Sequence, residues 1–419
     1  MNKKAFWTCA ISIVVLAALA RWISLPTEGF FCDVPIQIQV VHTGDMVIQF
    51  PGYAPFHYCA LAITKVTGCS VLNALVAISF ACGMGLVILI MQTARELAGD
   101  KAALISGLIS AVGVFPVYFS VVGSSYPTDM LAIAGMLYHG VRFLRNGGCG
   151  HFYGAIVWFC FGCLMRPLSM AFAVFGIAWL LWKRPRWDLG LVAVIAIAAT
   201  AALYVGISLP HYHSLYEFLH GYVAVQNSVT EGNLKSAVTN LFRVGAYPMY
   251  FLNVWLVFAI IVGARAWRAL NWTVILYVLG LTGAYFLFLV KYIPHAGYYC
   301  FLFPALVVLP WLFAHGENHE LEWISIWVGT ACAVIGIAQL LLARPIAVRG
   351  MASAAADAYF LQYSRAGIKA SSFDTLSTIL YHNKLFIDEI PKDRVRHALE
   401  SGGDRTNFSE TIPVAPQRP

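Results

Sequence analysis

Long apolar runs separated by short polar turns recur along almost the whole chain. A helix of roughly 20 apolar residues crosses the hydrocarbon core of a bilayer, and shorter runs suffice inside a bundle. On that criterion the sequence predicts spans near 5–23, 71–92, 102–122, 128–144, 152–166, 168–182, 188–208, 248–264, 272–290, 298–314 and 323–342, about eleven in all. The fifth and sixth are short and meet at "LMRPLS", which predicts a tight hairpin. Such runs satisfy their backbone hydrogen bonds internally only as helices. The expected fold class is therefore all-α, a polytopic membrane protein without an internal repeat.

Two segments between the runs are long. The first, 24–70, ends in "APFHYCALAITKVTG", which is apolar but too short to span and reads as an amphipathic interfacial helix. The second, 209–247, contains the amphipathic, aromatic-rich stretches "LPHYHSLYEFLHGYVAVQNSV" and "NLKSAVTNLFRVGAYP". From 344 the composition turns polar and ends in "GGDRTNFSETIPVAPQRP", which reads as disordered. The organisation expected is a transmembrane module over 1–343 and a C-terminal tail over 344–419.

Composition strengthens the membrane reading. Hydrophobic residues make up 60% of the chain and charged residues only 11%, against about a quarter in soluble domains. Most of its solvent must be lipid. The net charge of +7 then reads as a topology signal, and a nucleic-acid partner is not expected. Lys3, Lys4, Arg95, Lys101, Arg142, Arg145, Lys183, Arg184, Arg186, Arg265 and Arg268 fall on one side of the expected spans. Only Arg21, Lys65, Arg166, Lys235, Arg243 and Lys291 fall on the other. This asymmetry predicts a cytoplasmic N-terminus, and an odd span count then puts the tail outside. "MNKK" before the first run lacks a convincing cleavage site and reads as an uncleaved signal anchor. The ten cysteines lie mostly within apolar runs, Cys160 and Cys163 included, and read as small apolar residues.

Ionisable groups near membrane depth are costly, and by default they mark function. On the expected topology, Asp33, Asp45, Asp129, Arg166, Lys291 and His295 all fall at the outer face. Two acids and two cations from distant segments are thus placed to converge on one outward-facing cavity. Each also has a plainer role. Asp33 suits a solvated loop, Asp45 in "HTGDM" a turn, and Asp129 after Thr128 the first turn of a helix. Arg166 and Lys291 suit snorkelling to the interface. His211, His213 and His220 have the spacing of a loose cluster, but no acidic partner fixes them as zinc ligands. His57 and Tyr58 are placed either at the cavity mouth or as interfacial anchors.

The stretch "CDVPIQIQVVHTGDMVIQFPGYAPFHY" after the first span resembles the first outer loop of GT-C membrane glycosyltransferases. These include the dolichyl-phosphate-mannose protein mannosyltransferases, the aminoarabinose transferases and the rhizobial lipopolysaccharide glycosyltransferases. The likeness continues through "LISAVGVFPVYFSVVGSSYPTDMLAIAGMLYHGVRFLR", "GCLMRPLSMAFAV" and "KYIPHAGYYCFLFPALVVL". Asp33 stands at the family's acidic position, whereas Val34 replaces the second acid of its frequent Asp-Glu pair. The resemblance implies sugar transfer from a polyprenyl-phosphate carrier to a glycan, lipid or protein acceptor, in a bacterial inner membrane. It implies Asp33 as the base that takes the acceptor proton. Arg166 and Lys291 would steady the departing phosphate, with Tyr292 and His295 as hydrogen-bond partners. Asp129 would either orient the acceptor or share a divalent cation with Asp33; no cofactor is firmly implied. Rival readings are a transporter or lipid flippase with an outward charged cavity, or a polysaccharide polymerase or ligase.

Overall fold

The computed structural model describes residues 2–25, 34, 37, 38, 40, 41, 53–211, 214–216, 218, 220, 234–266, 271–291, 296–313 and 319–345. Asp33, Asp45, Tyr292, His295, His213 and the 344–419 tail beyond Pro345 lie outside these residues. Every described element is helical. In chain order they are α1 (Lys3–Trp22), α2 (Ala54–Thr67), α3 (Val71–Val112), α4 (Val114–Val121), α5 (Tyr126–Asn146), α6 (Cys149–Met165) and α7 (Pro167–Met170). After a 3₁₀ turn at Ala171–Ala173 come α8 (Val174–Lys183), α9 (Trp187–Ser208), α10 (Leu234–Leu252) and α11 (Val254–Ala266). The described chain closes with α12 (Trp272–Lys291), α13 (Phe303–Phe313) and α14 (His319–Pro345). Each of the eleven expected apolar segments is largely helical, and the expected amphipathic segment after 53 is α2.

Punctuation residues explain where the helices break. α3 is two helices in one, interrupted at Ala98 and at Gly99, whose φ of 86° suits glycine. Gly107 packs against the Met91 side chain, although sixteen residues of straight helix would separate them by roughly 24 Å. The chain therefore turns back at Gly99, as the separate expected runs at 71–92 and 102–122 require. The second of those runs is itself broken at Gly113. Pro116 has no N–H to offer the Val112 carbonyl, and Gly336 of α14 closes onto that carbonyl.

The expected span at 248–264 is not one straight helix. α10 begins at Leu234 and ends at Leu252, and the next helix leaves at 109°. Asn253 makes the bend with a φ of 38°, and its side-chain oxygen accepts from the Val254 amide at 2.7 Å. Asparagine tolerates this left-handed conformation better than most residues. By length and composition, five described helices can cross a membrane, or six if this bent pair counts as one span.

Apolar packing around α3, α5 and α12 forms the main core. Buried polar side chains pin the helices at defined depths. The Trp311 indole donates to Ser106 at 2.6 Å, Trp255 to the Val307 carbonyl at 2.9 Å, and Tyr277 to the Met136 carbonyl at 2.6 Å. Arg21, fully buried at the end of α1, donates to the carbonyls of Ala17, Ala111 and Ser110. It thereby caps the last turn of α3 just before the Gly113 break. Outside this core, large apolar side chains such as Trp182, Trp187, Leu287 and Trp327 are exposed, as a lipid-facing surface requires.

Candidate active site

Two prolines set the site. Pro167 disfavours helical geometry at the residue before it, so α6 stops at Met165 and Arg166 takes an extended conformation with φ −147° and ψ 76°. Pro167 then opens α7, a position that needs no N–H. The short turn of α7 folds Ser169 back over Arg166, and the Ser169 hydroxyl lies 3.2 Å from the Arg166 carbonyl. On the neighbouring helix, Pro127 sits in the first turn of α5 and Thr128 bonds the Ser125 carbonyl at 2.6 Å. Asp129 follows in that first turn, where helix N-terminal amides favour a negative charge. α5 and α6 are antiparallel across the Gly147–Gly148 turn, so the start of one meets the end of the other.

At that end Asp129 and Arg166 come together, as the charge pattern anticipates. Asp129 is 0% exposed, Arg166 3% and Ser169 4%. Arg166 Nε stands 3.5 Å from Asp129 Oδ2. Ser169 Oγ is 2.9 Å from Oδ1 and 2.8 Å from Oδ2. The guanidinium carbon lies 3.9 Å from the centre of the Tyr126 ring and 5.3 Å from that of Tyr53, which precedes α2. Cation–π contact of this kind holds an arginine flat without consuming its N–H groups. Indeed Arg166 Nε and Nη1 make no hydrogen bond among the described residues although both are buried. Unpaired buried donors on a charged group are expensive, and a site built this way is suited to an anion.

The surroundings are aromatic. Tyr285 of α12 is buried within electrostatic range of both Asp129 and Arg166, with its ring 4.2 Å from that of Phe301. Its hydroxyl has no hydrogen-bond partner among the described residues. The 3₁₀ turn Ala296–Cys300 brings Gly297 against the Tyr126 ring, and Tyr298 meets that ring edge-on at 5.9 Å. The "AGYYC" segment, 296–300, thus reaches the site, and His295 and Tyr292 lie outside the described residues. Lys291 ends α12, six residues after Tyr285.

His57 and Tyr58 part company. His57 is fully buried one helical turn after Tyr53, with neither ring nitrogen hydrogen-bonded among the described residues. Burial drives its pKa down to about 3, so the ring is neutral. Tyr58 points the other way, its hydroxyl 2.8 Å from His211 Nε2 after the end of α9. The contact ties α2 to α9. Among the described residues no group of three or more His, Cys, Asp or Glu side chains is arranged to hold a metal ion. A divalent ion at Asp129 would also face the Arg166 cation.

An apolar cavity of about 440 Å³ lies between α6 and α9. Phe159 and Cys163 of α6, Pro167, Ala171, and Ala201 and Tyr204 of α9 are among its walls. Its link to the charged cluster is Pro167, the neighbour of Arg166 in the chain. Ser169, Tyr126, Tyr53 and Tyr285 were not among the residues singled out from the sequence. For Ser169 the signal was present, three residues after a proline-flanked arginine. For the tyrosines nothing distinguished them from interfacial aromatics.

Comparison with known proteins agrees with this architecture. The family model for dolichyl-phosphate-mannose-protein mannosyltransferase matches residues 54–211, the stretch that carries Asp129, Arg166 and Ser169. No curated protein gives a match. Among solved structures, ArnT from Cupriavidus metallidurans in the apo state aligns with a TM-score of 0.55 at 15% identity, over 92% of this chain and 85% of that chain. The same protein bound to undecaprenyl phosphate aligns with a TM-score of 0.54 at 16% identity, over 90% of this chain and 84% of that one. At such identity the likeness establishes the fold. The chain has an ArnT-like, all-helical fold.

Proposed function

We propose that this chain is an integral-membrane glycosyltransferase that moves a sugar from a polyprenyl-phosphate carrier to an acceptor hydroxyl. The observation that carries this reading is Arg166: a buried guanidinium anchored by Asp129, whose Nε and Nη1 are unpaired among the described residues, next in the chain to Pro167, which lines an apolar cavity. A lipid phosphate needs both features together, a cation for its head and an apolar slot for its tail. The matched mannosyltransferase family and the fold of ArnT, a protein solved with undecaprenyl phosphate bound, support the same class of donor.

In the proposed reaction the acceptor oxygen attacks the anomeric carbon from the face opposite the phosphate. The new C–O bond forms as the bond from that carbon to the phosphate oxygen breaks, which inverts the anomeric centre. Asp33 takes the hydroxyl proton, since a bare hydroxyl is a poor nucleophile. The electron pair leaves with the polyprenyl phosphate, and preorganised cations stabilise the charge that grows there. Arg166 and Lys291 are the proposed cations, with Tyr292 and His295 as hydrogen-bond partners to the phosphate. His57, neutral and one turn from Tyr53, is proposed to line the sugar side of the site. The proposed setting is a bacterial inner membrane, with transfer on the extracytoplasmic face to a glycan, lipid or protein.

The deciding experiment reconstitutes the full chain in lipid nanodiscs with radiolabelled polyprenyl-phosphate sugars and envelope acceptors. Asp33→Asn and Arg166→Gln are expected to lose transfer by about a hundredfold or more, the scale of a lost base or charge-stabilising donor; Arg166→Gln also lowers the unfolding midpoint, because it leaves Asp129 buried without its cation, so it is assayed below that midpoint. Full turnover in properly folded Asp33→Asn removes the base from the scheme. Full turnover in Arg166→Gln removes the phosphate site.

A further inference from the structure

The Asp129–Arg166 contact is unusual for a buried carboxylate and arginine. Such pairs commonly form a two-pronged fork, with N···O distances of about 2.7–2.9 Å. Here the ion pair is a single approach of 3.5 Å through Nε. Both carboxylate oxygens instead lie within 2.9 Å of one hydroxyl, that of Ser169. A serine has one proton to donate, and Oδ1 and Oδ2 both lie closer to this hydroxyl than its other acceptor, the Arg166 carbonyl at 3.2 Å. The carboxylate is therefore turned toward Ser169, and its charge reaches Arg166 without capturing the donor edge of the guanidinium. Among the described residues Nη1 remains unbonded and buried, with the plane held over Tyr126.

We infer that Ser169 is a positioning residue that holds Asp129 off the donor edge of Arg166 and so keeps that edge open for a phosphate. This rests on the reading of Arg166 as a phosphate-binding residue. Without the hydroxyl, Arg166 is the remaining side-chain partner of Asp129 among the described residues, and closing the fork satisfies both. The site is then better paired within itself and a poorer binder. A merely structural serine has the opposite signature, since its loss lowers stability and binding together.

The test uses the full chain in detergent and farnesyl phosphate as the probe, with binding measured by calorimetry and the unfolding midpoint measured in parallel. Ser169→Ala is expected to weaken binding about tenfold or more, the scale of a lost charge-assisted hydrogen bond, with an unfolding midpoint equal to or above that of the unmodified chain. Ser169→Cys, of similar volume but a weak donor, is expected to behave likewise, whereas Ser169→Thr restores binding. Wild-type-like affinity in Ser169→Ala, alongside lost binding in Arg166→Gln, overturns the inference and leaves the phosphate reading standing. A parallel fall of binding and stability, or failure of both the Ala and Cys variants to fold, assigns Ser169 to structure and overturns it too. If the unmodified chain does not bind farnesyl phosphate, the reading of Arg166 falls and the inference with it.

Discussion

At the scale of single residues, the energetics of the site turn on what each group loses when its partner is removed. Asp129 and Arg166 are both buried, and stripping one leaves the other charged and uncompensated. Asp129→Ala is expected to cost about 3–5 kcal/mol of stability. The double variant Asp129→Ala with Arg166→Met is expected to regain most of it, because an apolar replacement of a buried pair is often neutral. Denaturant unfolding of the four proteins of this cycle measures the coupling; additive effects would mean that the two charges do not stabilise one another. The sequence shows these two residues plainly, since an acid and an arginine amid apolar runs are conspicuous. It does not show Ser169, Tyr126 or Tyr53 in the same way. Serines and tyrosines are ordinary in such runs, and only the turn made by Pro167 brings Ser169 over the carboxylate.

Helices meet here through small residues and backbone caps, and two of these contacts can be tested. Gly140 of α5 leaves the slot that receives the Tyr277 ring of α12, whose hydroxyl bonds the Met136 carbonyl. Gly140→Val places a branched side chain where that ring lies and is expected to cost about 1–3 kcal/mol, read as a lower unfolding midpoint in detergent. An unchanged midpoint would show that α5 and α12 can slide apart freely. Arg21 spans α1 and the end of α3 by bonding carbonyls of both. Arg21→Leu is expected to cost at least about 2 kcal/mol by orphaning buried carbonyls. Arg21→Lys recovers only part, since a single ammonium lacks the planar fork that reaches several acceptors; equal stability of the Lys variant and the parent would refute the capping role. Helix positions were legible from apolar runs, because lipid leaves the backbone no alternative. The bend at Asn253 was not. The apolar pattern runs straight through it, and a positive φ at an asparagine leaves no hydrophobic trace.

The whole molecule is a bundle whose outer surface needs lipid, and in the proposed function its site pairs a charged head group with an apolar slot. If the expected odd number of spans is right, a reporter fused after Arg344 reads out as extracytoplasmic; a cytoplasmic signal breaks that arrangement. The slot is the more revealing test of the proposed function. Its volume of about 440 Å³ is in the range that holds a small organic ligand, enough for the first few isoprene units next to a phosphate. A polyprenyl tail already lies in lipid, which is as apolar as the cavity, so moving it between helices gains little from burial. In the proposed function the slot supplies orientation, by fixing the phosphate against Arg166, and misplacement by about 1 Å can cost a hundredfold in rate. Ala201→Trp, which narrows the slot from α9, is therefore expected to lower kcat for a long polyprenyl-phosphate donor about tenfold or more. KM should change little, and transfer from a donor with a single isoprene unit should be nearly unaffected. A loss of equal size for both donors would trace the effect to folding instead of seating. No loss for the long donor would place the tail elsewhere in the bundle and leave the cavity between α6 and α9 without a part in transfer.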